Sequence, residues 1–195
     1  MRNIEIVHNF FDNFENIRES FKTIPLYSEE EYKKRTIINE RDRSLLSYAH
    51  FPGTRSESLH RTSPFIFNLI LKEFFDKIND TGYKNTTMDC CLHLRLKKDN
   101  AGEFIHTDPT VTTMIVYLGP TNMASGTAFY SNAEVKSLPH GVRYKDSDKP
   151  YFTVPFIQNT AVFFPGNIRH SSLLNFGNNI HDGRLTLNGF VYSLS

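Results

Sequence analysis

The chain has 195 residues, with 22 Lys and Arg against 21 Asp and Glu, 39% hydrophobic residues, 17 Phe, 9 Tyr and no Trp. That length suits one domain with a sizeable core, and a net charge of +1 excludes a whole-molecule polyanion binder. Cys90 and Cys91 are the only cysteines, and neighbours that a strand sends to opposite faces exclude a disulfide framework and a CxxC metal site.

In chain order, Phe10, Phe11, Phe14, Ile17 and Phe21 recur at three- and four-residue steps, which predicts an amphipathic helix over 10–22 that Pro25 stops. Residues 33–61 hold seven basic side chains (Lys33, Lys34, Arg35, Arg41, Arg43, Arg55, Arg61) against Glu40, Asp42 and Glu57. This stretch reads first as a solvated surface and second as a patch facing an acidic substrate. The segment Phe51–Pro52–Gly53–Thr54–Arg55–Ser56 reads as a turn or loop. Ser63 and Pro64 open a second helix with the stripe Phe67, Ile70, Leu71, Phe74, Phe75 and Ile78, ended by Asp80 to Gly82.

From residue 87 the period changes from helix to strand. Met88, Cys90, Leu92, Leu94 and Leu96 alternate, the pattern of a half-buried strand over 87–97. A polar turn follows from Lys97 to Gly102. Thr112 to Leu118, Thr127 to Tyr130, Tyr151 to Pro155, Thr160 to Phe164 and Leu185 to Leu194 are further strand candidates, and 131–150 reads as a long loop of the kind used as a lid. Helices followed by about eight short strands predict a mainly β fold, a double-stranded β-helix or jelly roll packed by N-terminal helices. The expected organisation is one domain over 1–195, with a helical support region at 1–86 and the jelly-roll core at 87–195.

The chemistry sits in the second half. His106 and Asp108 are two apart, so an extended backbone turns both to one face. His170 follows an apolar strand and a Pro165–Gly166 turn. Two imidazoles and one carboxylate hold non-haem iron(II) on one face and leave the other open. Arg184 lies on the last strand with Thr186, and its guanidinium is a fixed cation for the distal carboxylate of a keto acid. A lone His-X-Asp triplet is a weak signal in a chain with eight histidines, and the weight lies in the ordered set.

His106–Asp108, Ile115–Leu118, Gly126–Tyr130, Ala161–Pro165 leading to His170, and Arg184–Thr186 together resemble the iron(II)/2-oxoglutarate dioxygenase superfamily in its prolyl-hydroxylase-like branch. Phe10 to Arg18 and Phe51 to Arg55 are similar to small members from phage and marine microbial genomes. The resemblance is clear over 90–195 and looser before it. It implies that His106, Asp108 and His170 ligate Fe(II), and that Arg184, Thr186 and Tyr117 contact the distal carboxylate of 2-oxoglutarate. It further implies that dioxygen is the second cosubstrate. The activity implied is hydroxylation of a C–H bond in an amino acid or protein side chain, with release of succinate and carbon dioxide. Retention of Asp108 points to hydroxylation rather than halogenation. The strand tyrosine common about ten residues before the triplet is replaced by Leu96, with Arg95 or His93 as substitutes near the C1 carboxylate.

Three other readings compete. Nucleobase or nucleotide oxidation draws on the basic 33–61 stretch, although nucleic acid is not the favoured partner. A non-catalytic metal-binding jelly roll leaves Arg184 without a purpose, as does a zinc hydrolase. A small molecule, a peptide or a protein is the expected substrate. With no apolar signal core and no run of transmembrane length, no membrane partner is expected. A cytoplasmic location is expected, that of a host cell for a phage protein. The pattern fixes no oligomeric state.

Overall fold

The computed structural model describes residues 4–36, 51–78, 86–99, 105–131, 135–138, 141–144 and 149–193. Twelve strands and four helices lie among them. The strands of the larger sheet are β1 (Glu5–His8), β2 (Tyr27–Ser28), β3 (Thr54–Arg55), β4 (Thr86–Arg95), β5 (Thr112–Tyr117), β10 (Thr160–Phe164) and β12 (Arg184–Ser193). Their order is β1-β10-β5-β12-β4-β3-β2. A smaller sheet runs β11-β6-β9, from β6 (Asn122–Tyr130), β9 (Phe152–Phe156) and β11 (Arg169–Ser172). The helices are α1 (Phe14–Lys22), α2 (Glu29–Thr36), α3 (Leu59–Thr62) and α4 (Pro64–Lys77).

Side-chain alternation sorts the larger sheet into two faces. On β4, Cys90, Leu92 and Leu94 join Leu185 and Leu187 of β12, Met114 and Val116 of β5, and Phe163 of β10. This outer face packs against Phe14 and Phe21 of α1 and Ile70 and Phe74 of α4. Each large side chain here stabilises the fold by roughly 1.5–3 kcal/mol through removal from water. On the inner face, Tyr117, Val162 and Phe164 meet Phe129, Val154 and Phe156 of the smaller sheet. The result is a jelly roll with helices against one wall.

Several sequence expectations are corrected by the coordinates. Phe10 and Phe11 precede the first helix, which begins at Phe14. They are held instead by Asn159: the Phe11 N–H donates to its Oδ1 at 2.9 Å, and its Nδ2 donates to the Phe11 carbonyl at 2.9 Å. Two backbone bonds, Phe10 N–H to the Asn159 carbonyl and Asn159 N–H to the Tyr117 carbonyl, complete this anchor. Periodicity counted the two rings as helical because they join the same apolar cluster as α1. Thr54 and Arg55, expected in a loop, form a strand because their backbone pairs with Leu94 and His93. Within 131–150, β7 (Val135–Leu138) and β8 (Gly141–Tyr144) pair as a hairpin. The β4 strand is buried on both faces from Cys91 to Arg95, rather than half-buried. Pro64 does begin its helix, but the Ser63 side chain makes no capping bond. The expected helix stop at 80–82 lies outside the described residues.

Among the described residues no helix is long and apolar enough to cross a membrane.

Candidate metal centre

His106 and His170 are joined first by backbone. Each N–H donates to the other's carbonyl, at 3.0 and 2.9 Å, as an isolated antiparallel bridge. Opposed residues in such a pair project to the same face, and the two rings lie 4.3 Å apart between centroids. Asp108 is fixed by its own N–H, which donates to the Gly166 carbonyl at 2.8 Å. That contact requires glycine: a Cβ at Gly166 would lie 2.7 Å from the Asp108 carbonyl oxygen and 2.2 Å from Thr110 Oγ1. The Pro-Gly turn therefore brings the triplet against the strand carrying His170.

The side chains converge. Asp108 Oδ1 is 3.8 Å from His106 Nε2, and Asp108 Oδ2 is 3.5 Å from His170 Nε2. One ligand atom from each of the three residues falls within 4.8 Å of the others. Ligand atoms about 2 Å from a shared ion on one face lie roughly 3 Å apart, so the 3.5 and 3.8 Å separations call for only a small inward adjustment of the side chains to hold one. His170 Nδ1 donates to the Ile168 carbonyl at 2.9 Å, which leaves the Nε2 lone pair for an ion. Burial, helped by His106, lowers its pKa to about 4, so the ring is neutral at physiological pH. The Thr113 hydroxyl donates to Asp108 Oδ2 at 2.7 Å. Phe164 closes one side, its ring 4.6 Å from that of His170.

Arg184 stands on the inner face of β12 and is 3% exposed. Its Nη2 donates to the Gly126 carbonyl at 3.1 Å, while its buried Nε has no acceptor. Burial lowers its pKa, and the neighbouring Tyr117 opposes that shift. Gly126 has φ +146°, and a Cβ there would meet the Val154 carbonyl oxygen at 1.9 Å. Only glycine can take that position. Tyr117 and Thr186 are cross-strand partners on the same face. The Tyr117 hydroxyl donates to Thr127 Oγ1 at 2.8 Å, and Thr186 Oγ1 donates to the His93 carbonyl at 3.3 Å.

Comparison with solved structures finds the same arrangement of strands and helices. An oxidoreductase of the 2OG-Fe(II) oxygenase family from Burkholderia pseudomallei superposes with a TM-score of 0.61 at 11% identity, over 98% of this chain and 84% of that one. This chain has the 2OG-Fe(II) oxygenase fold. HygX from Streptomyces hygroscopicus, solved with iron bound, gives 0.58 at 10% identity over 97% and 82% of the two chains. YcfD, a ribosomal oxygenase from Escherichia coli solved with cobalt and 2-oxoglutarate, gives 0.52 at 8% identity; it aligns over 97% of this chain but 48% of its own. No protein-family model and no curated protein sequence matches the chain.

Within the oxygenase fold, all six residues expected from sequence lie on the two β-walls or the segment bridging them. Sequence reasoning missed Thr113, the Ile168 carbonyl and the place of Arg55 on the inner wall, whereas His93 and Arg95 were already candidates there. His93 and Arg95 are each 7% exposed on β4, and Arg55 faces the same way opposite His93. His93 Nε2 is engaged with the Pro52 carbonyl at 2.7 Å. Arg95 Nη1 donates to Ser172 Oγ, and its Nε has no acceptor. Burial, then the neighbouring Arg184, lowers the Arg95 pKa. The signal for this wall was the second alternating set on β4, Cys91, His93 and Arg95, all of them buried.

Proposed function

We propose that the protein is an iron(II)- and 2-oxoglutarate-dependent dioxygenase. It hydroxylates an unactivated C–H bond of an amino acid or protein side chain, prolyl residues being the nearest analogue, and releases succinate and carbon dioxide. One observation carries this reading: three ligating atoms converge within 4.8 Å in a fold that also buries an arginine whose Nε lacks an acceptor. A zinc hydrolase or a non-catalytic module gives that guanidinium no task.

An iron(II) ion held here would supply dioxygen activation, with dioxygen as the oxidant and the keto acid as co-reductant. The chain's own residues do the rest. His106, Asp108 and His170 hold the ion, Ile168 fixes the His170 tautomer, and Thr113 orients Asp108. Arg184 receives the distal carboxylate of 2-oxoglutarate in a bidentate fork that also satisfies its Nε. Tyr117, its pKa raised to about 12 by burial, stays protonated and lines the same end with Thr186. Arg95 contacts Ser172, two residues along β11 from His170, and is the candidate for the near carboxylate. His93 is already committed to Pro52. The aromatic wall of Phe129, Phe156 and Phe164 excludes water from the reacting centre.

The metal- and 2-oxoglutarate-bound neighbours support the cofactor assignment. SnoN, described as an α-ketoglutarate-dependent epimerase, has the same fold at 14% identity and a TM-score of 0.54, over 97% of this chain and 78% of its own. The fold therefore does not choose the chemical outcome, and Asp108 argues only against halogenation. Of the basic stretch that suggested nucleobase oxidation, Lys33, Lys34 and Arg35 pair with Glu29, Glu30 and Glu57, and Arg41 and Arg43 lie outside the described residues.

The test is succinate formation from 2-oxoglutarate under air with added Fe(II). Wild type is expected to turn over, His106→Ala to be inactive, and Arg184→Ala to need far more 2-oxoglutarate at little changed iron affinity. Undiminished succinate from His106→Ala would remove the assignment.

A further inference from the structure

Arg55 has no role in the reading above. It lies on β3 opposite His93, so its side chain joins His93 and Thr186 on the inner face of the larger sheet. Its Nε is buried without an acceptor, and among the described residues no carboxylate pairs with it. Arg35, from the same basic stretch, is by contrast paired with Glu57 at 3.0 Å. The Arg55 guanidinium is held 4.5 Å from the centre of the Phe51 ring. Phe51 is braced edge-to-face by Tyr32 at 5.6 Å and by His93 at 5.8 Å. The cation therefore has a fixed position, and its free donor has a fixed direction.

Position separates it from the other two arginines. Arg184 and Arg95 are almost fully buried, whereas Arg55 is only half-buried, on the strand next to the sheet's outer edge. Across the inner face Arg55 opposes His93, His93 opposes Thr186 and Thr186 opposes Tyr117, one continuous row of side chains running from the rim toward the Arg184 end. Arg55 thus occupies the solvent-facing side of the wall that leads to the metal centre. An arginine desolvated at one nitrogen, stacked on a ring and lacking a counter-charge is costly to hold unless an anion arrives. The keto acid has two carboxylates, for which Arg184 and Arg95 suffice.

We propose that Arg55 determines substrate specificity by seating an anionic oxyacid group, a carboxylate or a phosphate, of the primary substrate, with Phe51 and Tyr32 as the wall beside it. This rests on the oxygenase reading and names the class of substrate: an acidic one, whose C–H bond reaches the metal while its anion rests on Arg55. The bidentate geometry of guanidinium suits either oxyacid.

The test uses the full chain with Zn(II) in place of iron and calorimetric titration of inorganic phosphate and of acetate at low ionic strength, with and without saturating 2-oxoglutarate. Wild type is expected to bind at least one anion with 2-oxoglutarate present, and the stronger of the two identifies the oxyacid. Arg55→Gln should weaken that binding tenfold or more, and Arg55→Lys should restore much of it. All three should bind 2-oxoglutarate within about twofold of one another, which also shows that they fold. Equal anion binding by wild type and Arg55→Gln overturns the proposal, as does the absence of anion binding by wild type. Loss of 2-oxoglutarate binding in Arg55→Gln would move Arg55 to the keto-acid seat and overturn it too. Failure of wild type to bind 2-oxoglutarate would instead remove the oxygenase reading. The difference between wild type and Arg55→Gln without keto acid still decides whether Arg55 is an anion seat.

Discussion

Thr113 shows how much of the metal site depends on residues that touch no metal. Its hydroxyl donates to Asp108 Oδ2 and is itself bonded to Thr110 Oγ1 at 2.9 Å. Thr113→Val keeps the shape and removes the donor, so Fe(II) affinity is expected to fall by roughly 10–100-fold, the usual loss for such a partner. Melting temperature without metal should change little; a metal titration at unchanged affinity would show that Asp108 is oriented by backbone alone. The thiols give a second residue-scale prediction. Burial pushes Cys91 up to about 11 and raises Cys90 well above its ordinary value. Both should stay protonated and resist disulfide-exchange reagents at pH 8 in the folded protein, and react at once in denaturant. Rapid native labelling of either would contradict their burial. That His106 and Asp108 can share a face was readable from spacing, because residues two apart on extended backbone project the same way; His170 entered only through the ordered motif set. Thr113 was not, since nothing in a threonine five residues from an aspartate marks it as a donor to that side chain.

At the scale of elements, β5, β10 and β12 lie within a residue of their expected bounds, and strand period was the guide only at β4. It misjudged β4. Polar residues at alternate positions ordinarily mean solvent, but here they line the inside of a jelly roll that holds charged groups. The two-residue strands β2 and β3 carry too few side chains for any period and are strands only through pairing. Asn159 was equally hidden. It sits at φ +58° between β9 and β10 and binds the chain before α1 from 148 residues away. Asn159→Ala removes two buried hydrogen bonds and is expected to cost about 2–4 kcal/mol, at the level of a large core truncation. Chemical denaturation measures it, and a loss below about 0.5 kcal/mol would show that the N-terminal segment is held by its phenylalanines alone. Gly126→Ala acts on another element, since the clash with Val154 would displace the carbonyl that receives Arg184.

For the whole molecule, the inner wall holds buried charge at the expense of stability. Arg184→Met replaces a buried guanidinium with an apolar chain, and its unliganded stability is expected to equal or exceed that of wild type. With metal present, 2-oxoglutarate at a hundred times its Kd should stabilise wild type by about 2.7 kcal/mol and leave Arg184→Met unmoved. A variant that melts far lower without ligand would mean that Arg184 is structural. The central claim is that two imidazoles and a carboxylate share one ferrous ion with a keto acid anchored on Arg184. Anaerobic titration of the protein with Fe(II) and then 2-oxoglutarate, followed by visible absorption, tests it most directly. A weak metal-to-ligand charge-transfer band should appear in wild type and be absent from Asp108→Ala and His170→Ala. A wild-type protein that takes up neither iron nor keto acid, or variants that give the same band, would contradict it.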